Sequence, residues 1–205
     1  MKNKKMGEIK SVKIGTQIWA IENLNVSNFR NGDPITEVKS IEEFVKAGKE
    51  EKPAWCYYDN DPSNGRIYGK LYNWFAVNDP RGLAPPGWHL PSDEEWTTLA
   101  SYLGDKKGTK IKAKRKWYYY LLLEGEKVEE EDTPKTNESG FTALPSGIIN
   151  NIGGFGLIGS FTGWWSTTEC SKEDALAVVM SQGIDEFNSL EDSKLSGFSV
   201  RCLRD

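Results

Sequence analysis

Glycine and proline interrupt this chain so often that long regular elements have little room to form. The 205 residues include 20 Gly and 9 Pro. They gather in turn-prone clusters: Asn31-Gly32-Asp33-Pro34, the stretch from Asp59 to Gly65, and Pro80, Pro85 and Pro86. Glycine admits positive φ and proline withholds a backbone donor, so each cluster tends to end a helix or strand. Aromatic residues, 12% of the chain, are spread between these breaks. Many aromatics among many turns, with few periodic stretches, indicate an irregular α+β domain. The densest apolar cluster, Trp117 to Leu123, falls far short of the roughly 18 residues of a transmembrane helix, so no membrane insertion is expected. The length fits one large domain or two small ones; we read a tail over 1–7 and a single domain over 8–205.

One segment sustains helical spacing. Trp96, Leu99, Ala100 and Leu103 stand at i, i+3, i+4 and i+7. Ser92-Asp-Glu-Glu95 before them is a capping box, and Gly104 suits the position after the last turn. A second capping box, Ser40 to Glu43, opens a short helix ending near Gly48. Glu8–Ile14 and Gln17–Ile21 read as two strands around Gly15-Thr16, and Ala54–Tyr58 as another. Leu71, Trp74 and Phe75 suggest a short buried helix, and Asp59–Gly65 a dense turn. Further short strands are expected at Phe141–Leu144, Trp164–Ser166, Ala175–Met180 and Phe198–Leu203. Between Lys106 and Lys116 the chain is basic, and Glu129 to Asp132 is acidic. A solvated hairpin turning near Glu124–Lys127 would set the two arms face to face.

The chemistry-bearing residues are few. A net charge of -4 argues against nucleic acid as a general partner. The lysines of 106–116, with Trp117 to Tyr120 available for stacking, are better explained by the acidic run that neutralises them. Cys56, Cys170 and Cys202 are odd in number and contain no Cys-x-x-Cys. The single histidine, His89, removes most metal-ligand and His-based triad schemes. Its place before the best helix suggests a partly buried ring bonded to a backbone group. Asp59 to Gly65 offers the hard oxygens that calcium takes, but the glycine is one place late for an EF-hand and Lys70 stands where its last Glu belongs. We expect no metal or other cofactor, with calcium left open there and at Asp185, Glu186 and Asp192. No apolar stretch follows the basic start Met1-Lys-Asn-Lys-Lys-Met6, so no signal peptide is read in this chain and the compartment stays undetermined.

Six blocks in order carry a resemblance: Val12 to Leu24, Tyr68 to Val77, Pro86 to Trp96, Asn137 to Pro145, Trp164 to Glu169 and Gly197 to Asp205. Together they resemble the Fibrobacter succinogenes major paralogous domain, over about residues 8–205. His89-Leu-Pro-Ser-Asp-Glu-Glu-Trp96 and the ending Gly197-Phe198 to Arg201-Cys202 are also similar to blocks of formylglycine-generating enzymes. The resemblance implies a C-type-lectin-like fold: two main helices, small antiparallel sheets, one of them joining the termini, and long irregular loops. It also implies an extracellular or cell-surface setting. Relatives often carry a cysteine before the Pro-x-Gly-Trp-His block that could pair with the final one. Here Ala84 stands there, which leaves Cys202 free or open to Cys56 or Cys170.

The enzyme of that superfamily would need a reactive cysteine pair near Ala175–Met180, which holds no thiol. We therefore expect no catalysis but a binding module for a protein or glycan, of undetermined oligomeric state. Trp19, Trp74, Trp88, Trp96, Trp164 and Trp165 lie in the shared blocks and are assigned to the core. Recognition is assigned to the less patterned stretch Ser181–Leu190, with Asp185, Glu186, Phe187 and Asn188 as ligand-binding residues, Phe187 foremost. The alternatives are an oxidase or hydrolase built on the same scaffold, or a structural unit of a larger surface protein.

Overall fold

The two ends of the domain meet in one small sheet. A computed structural model describes residues 8–120, 127–128 and 134–205; the tail over 1–7 and the acidic run Glu129–Asp132 lie outside them. In chain order the elements are β1 (Ser11–Ile14), β2 (Gln17–Ala20), β3 (Thr36–Glu37), α1 (Ile41–Lys49), β4 (Ala54–Cys56), a 3-10 turn (Tyr58–Asn60), α2 (Pro62–Tyr68), β5 (Leu71–Tyr72), α3 (Trp74–Val77) and β6 (Trp88–His89). They continue with α4 (Asp93–Leu103), α5 (Lys107–Ile111), β7 (Tyr119–Tyr120), β8 (Lys127–Val128), β9 (Ser146–Ile149), β10 (Phe155–Ile158), β11 (Phe161–Glu169), β12 (Asp174–Ser181), β13 (Asn188–Ser193) and β14 (Leu203–Arg204). This is an α+β fold, and α1 and α4 are its two longest helices.

β1 and β2 form a hairpin with Ile14 opposite Gln17. Gly15, at φ +60°, opens the two-residue turn, where a left-handed conformation suits the strand twist. β14 pairs with β2 on one side and β6 on the other, giving the order β1-β2-β14-β6. The larger sheet runs β10-β9-β11-β12-β13. It is antiparallel except where β11 meets β9, and β3 meets β4 in parallel too, so the small sheets are not uniformly antiparallel. β7 and β8 pair antiparallel; residues 121–126 between them and the acidic arm expected over Glu129–Asp132 lie outside the described residues.

Where sequence and structure differ, capping side chains, long-range backbone pairing and backbone conformation account for it. The expected turn at Asp59–Gly65 contains the start of α2, because Asp61 accepts from Ser63 N and Pro62 occupies the first helical turn. The helix expected from Leu71 begins only at Trp74: Tyr72 pairs with Phe198, and Asn73 caps the helix by accepting from Ala76 N. Phe141–Leu144 is no strand, since Thr142 sits at φ 60°. From Phe198 to Leu203 only isolated bridges and β14 form. The capping box at Ser40 is half made: Ser40 accepts from Glu43 N, but Glu43 accepts from Lys39 N. At Ser92 both halves are present.

All eight tryptophans are buried, from 0% exposed at Trp19, Trp164 and Trp165 to 8% at Trp88. Trp96 centres an aromatic cluster, with ring centroids 4.7 Å from Trp19 and 5.6 Å from Trp164. Aromatic pairs at such spacings add about 0.5–1.5 kcal/mol each beyond area burial. Arg201, fully buried, lies 4.5 Å from the Phe141 ring and donates to the carbonyls of Ala20 and Phe141 at 2.9 Å. It thereby ties the end of β2 to the chain approaching β14.

Candidate functional site: the cleft between α4 and the 184–189 segment

α4 lays Trp96, Leu99 and Leu103 against the larger sheet, where they join Val178, Met180 and Phe187 in one buried cluster. Its outer flank then borders a cleft of about 410 Å³ closed on the far side by Glu186 to Ser189. Trp96, Val178 and Phe187 form the floor; Thr97, Ser101, Asp105, Lys107, Glu186 and Asn188 supply polar walls. The indole N–H of Trp96 has no acceptor among the described residues. A buried donor without a partner costs on the order of 1–3 kcal/mol.

The far wall is held by α5. Gly108 N donates to Asp185 O at 2.6 Å, Thr109 Oγ1 to Asp185 Oδ1, and Lys112 Nζ to Ile184 O at 2.7 Å. Lys107 pairs with Glu186. The basic stretch expected to be a solvated arm is thus partly structural: Lys112 is 0% exposed. Burial pulls its ammonium down to about 8, with Asp185 opposing that shift. From the other side, Ser189 Oγ donates to Asp93 at the start of α4.

The four residues singled out from sequence therefore have different surroundings. Glu186 and Asn188 are exposed on the cleft wall. Asp185 is half-buried, its carboxylate and carbonyl both engaged by α5. Phe187, expected as an exposed anchor, is 4% exposed and belongs to the core. Sequence reasoning missed the opposite wall. Its signal was there: Thr97, Ser101 and Asp105 recur every four residues along the polar side of the strongest helical pattern.

The sequence matches the Fibrobacter succinogenes major domain from residue 12 to residue 204. The chain belongs to this family. No curated protein and no solved structure matches it.

In this Fibrobacter succinogenes major domain the three thiols are free. Cys56 and Cys202 are buried; burial pushes the Cys202 thiol up to about 12 and raises Cys56 further. Ala84 lies in the same buried cluster as Cys202. Cys170 is exposed, and its thiol is raised by desolvation and by the carboxylates of Glu191, Asp174 and Asp93. A nucleophilic thiolate needs the opposite environment. Among the described residues no three His, Cys, Asp or Glu side chains converge as a metal centre. Of the oxygens near Asp59, those of Asp61 cap α2 and accept from Ser63, whereas Asn60 Oδ1 is buried without a partner among the described residues.

His89 also departs from expectation. Among the described residues its ring bonds no backbone group but bridges two carboxylates: Nδ1 lies 2.9 Å from Asp205 Oδ1, and Nε2 lies 2.9 Å from Glu95 Oε1. Partial burial lowers its basicity, but the two carboxylates outweigh that and raise its pKa above 6.5. With both nitrogens facing acceptors, the imidazolium is the form that satisfies both contacts. It links β6, α4 and the residue after β14.

Proposed function

We propose that this domain is a non-catalytic binding module of C-type-lectin-like fold, taking a protein or glycan ligand in the cleft between α4 and residues 184–189. The fold reading rests on the sheet that joins the two ends, the two longer helices and the long irregular connections. The observation that carries the site is the cleft itself: polar walls from two elements over an aromatic floor. Such concavities, apolar below with a few convergent polar groups above, are where ligands usually bind. The wall is braced by α5, so its recognition groups need little ordering on binding. The enzyme alternative gains no support from the thiols, whose pKa values all move away from reactivity.

A glycan and protein array, probed with and without calcium, tests the reading. Wild-type protein is compared with the double variant Glu186→Ala, Asn188→Ala. A ligand whose signal falls about tenfold in the variant, on the scale of one good interfacial contact, supports the cleft. Ligands bound equally by both proteins would remove it.

A further inference from the structure

The larger sheet ends in an open edge. β13 pairs with β12 along its whole length, from Asn188 opposite Val179 to Ser193 opposite Asp174. Among the described residues no strand lies on its other side. Outside that pairing, no backbone–backbone hydrogen bond among the described residues involves Asn188 through Asp192. Alternate N–H and C=O groups therefore face away from the sheet, along an edge of about 20 Å. Residues 188–191 are exposed.

The two faces of this edge differ. Ser189 stands opposite Val178 on the α4 side and donates to Asp93; Glu191 shares that face by alternation. Asp93 meets this face through Ser189, and Asp174, opposite Ser193, shares it by the same alternation. Lys194, just beyond β13, is buried and already paired with Glu169. On the other face Leu190, 37% exposed, stands between Asn188 and Asp192, whose carboxylate accepts from Ser196. Antiparallel pairing of two β13 edges would add the charges of Glu191 and Asp192 to those of the second copy, a like-charge arrangement that disfavours self-association. A basic strand reverses that sign.

We propose that the free edge of β13 receives an extended cationic polypeptide segment as an added strand, with basic side chains on the Asp93–Glu191 face and apolar side chains beside Leu190. Main-chain pairing supplies affinity in this mode, and alternate side chains supply selectivity. The inference rests on reading the domain as a binding module, and it names a protein as the partner.

The test uses a fluorescent, capped hexapeptide alternating lysine and valine, with anisotropy as the readout. A second peptide of the same sequence carries methyl groups on alternate backbone nitrogens, keeping its charge but losing its donors. The expected result is saturable binding of the first peptide, little of the second, and roughly tenfold weaker binding to Glu191→Lys. Glu191→Gln, which keeps size and removes charge, should fall between wild type and Glu191→Lys. Equal binding of both peptides would mean charge alone, and would overturn the proposal; so would no binding, or affinity unchanged in Glu191→Lys. Peptide failure beside an array ligand that depends on Glu186 and Asn188 overturns the added strand and leaves the cleft standing. Strand binding beside array ligands indifferent to Glu186 and Asn188 supports the strand and removes the cleft.

Discussion

The brace between α5 and the cleft wall can be tested at one atom. Replacing Gly108 by Ala adds a Cβ only 2.7 Å from the carbonyl carbon of Asp185 and 2.8 Å from its oxygen. Both neighbours are backbone, so no side chain can swing aside. Reaching ordinary contact moves Asp185 away by roughly 0.7 Å, which also stretches the 2.6 Å bond from Gly108 N past good geometry. Overpacking of this kind costs about 1–3 kcal/mol, and the weakened bond about 1 kcal/mol more. Alanine's helix preference over glycine returns at most about 1 kcal/mol, and less in a five-residue helix. The net expectation is a loss of about 1–3 kcal/mol in Gly108→Ala, read from urea denaturation followed by tryptophan fluorescence. Gly156→Ala is the control, since a Cβ there meets nothing within 4 Å; its change should stay within about 0.5 kcal/mol. Because Glu186 and Asn188 follow Asp185 directly, Gly108→Ala should also weaken any ligand of the cleft. A Gly108→Ala protein as stable as wild type would refute the argument that α5 and the 184–189 segment are locked together.

Two further outcomes follow from the same geometry. Phe187→Ala should act first on stability, at about 3–5 kcal/mol for a buried ring, as measured by urea denaturation; a near-neutral effect would mean the ring does not contribute to the core. His89 has a folded pKa raised above 6.5, so its contribution is fully present below that value and is lost as pH rises through the folded one. Urea midpoints should therefore fall across the neutral range in wild type and fall less in His89→Gln; parallel profiles would count against the carboxylate bridge.

How far the fold could be read from sequence depended on where each element takes its hydrogen bonds. α4 was legible almost residue for residue, because its apolar stripe, capping box and terminal glycine are all local. The β1–β2 hairpin was legible for the same reason. α5 was not: its five residues are mostly polar, and the bonds that fix it run to Asp185 and Ile184, more than 70 positions away. The burial of Lys112 was equally hidden, since a lysine in a basic run looks solvated until a distant carbonyl is brought to it. His89 was seen but mispartnered; Glu95 was near enough in sequence to be suspected, Asp205 was not. The candidate site was half visible. The segment 184–189 could be picked out by its lack of pattern, whereas the facing wall was masked by the helix whose apolar stripe claimed attention.

Phe187 joins these threads. A solitary aromatic in an unpatterned loop suggests an exposed contact, yet here the ring fills the space beneath the cleft, beside Trp96 and Val178. That burial costs the loop an exposed anchor and gives it a fixed position. The ring seats the chain from below, α5 holds Ile184 and Asp185 from one side, and Asp93 holds Ser189 from the other. Beyond these attachments lie two exposed polar side chains, Glu186, which Lys107 pairs, and Asn188, together with the outward edge of β13. The two proposed sites therefore draw on groups that the core positions but does not use: the cleft wall where side chains are needed, and the strand edge where backbone suffices.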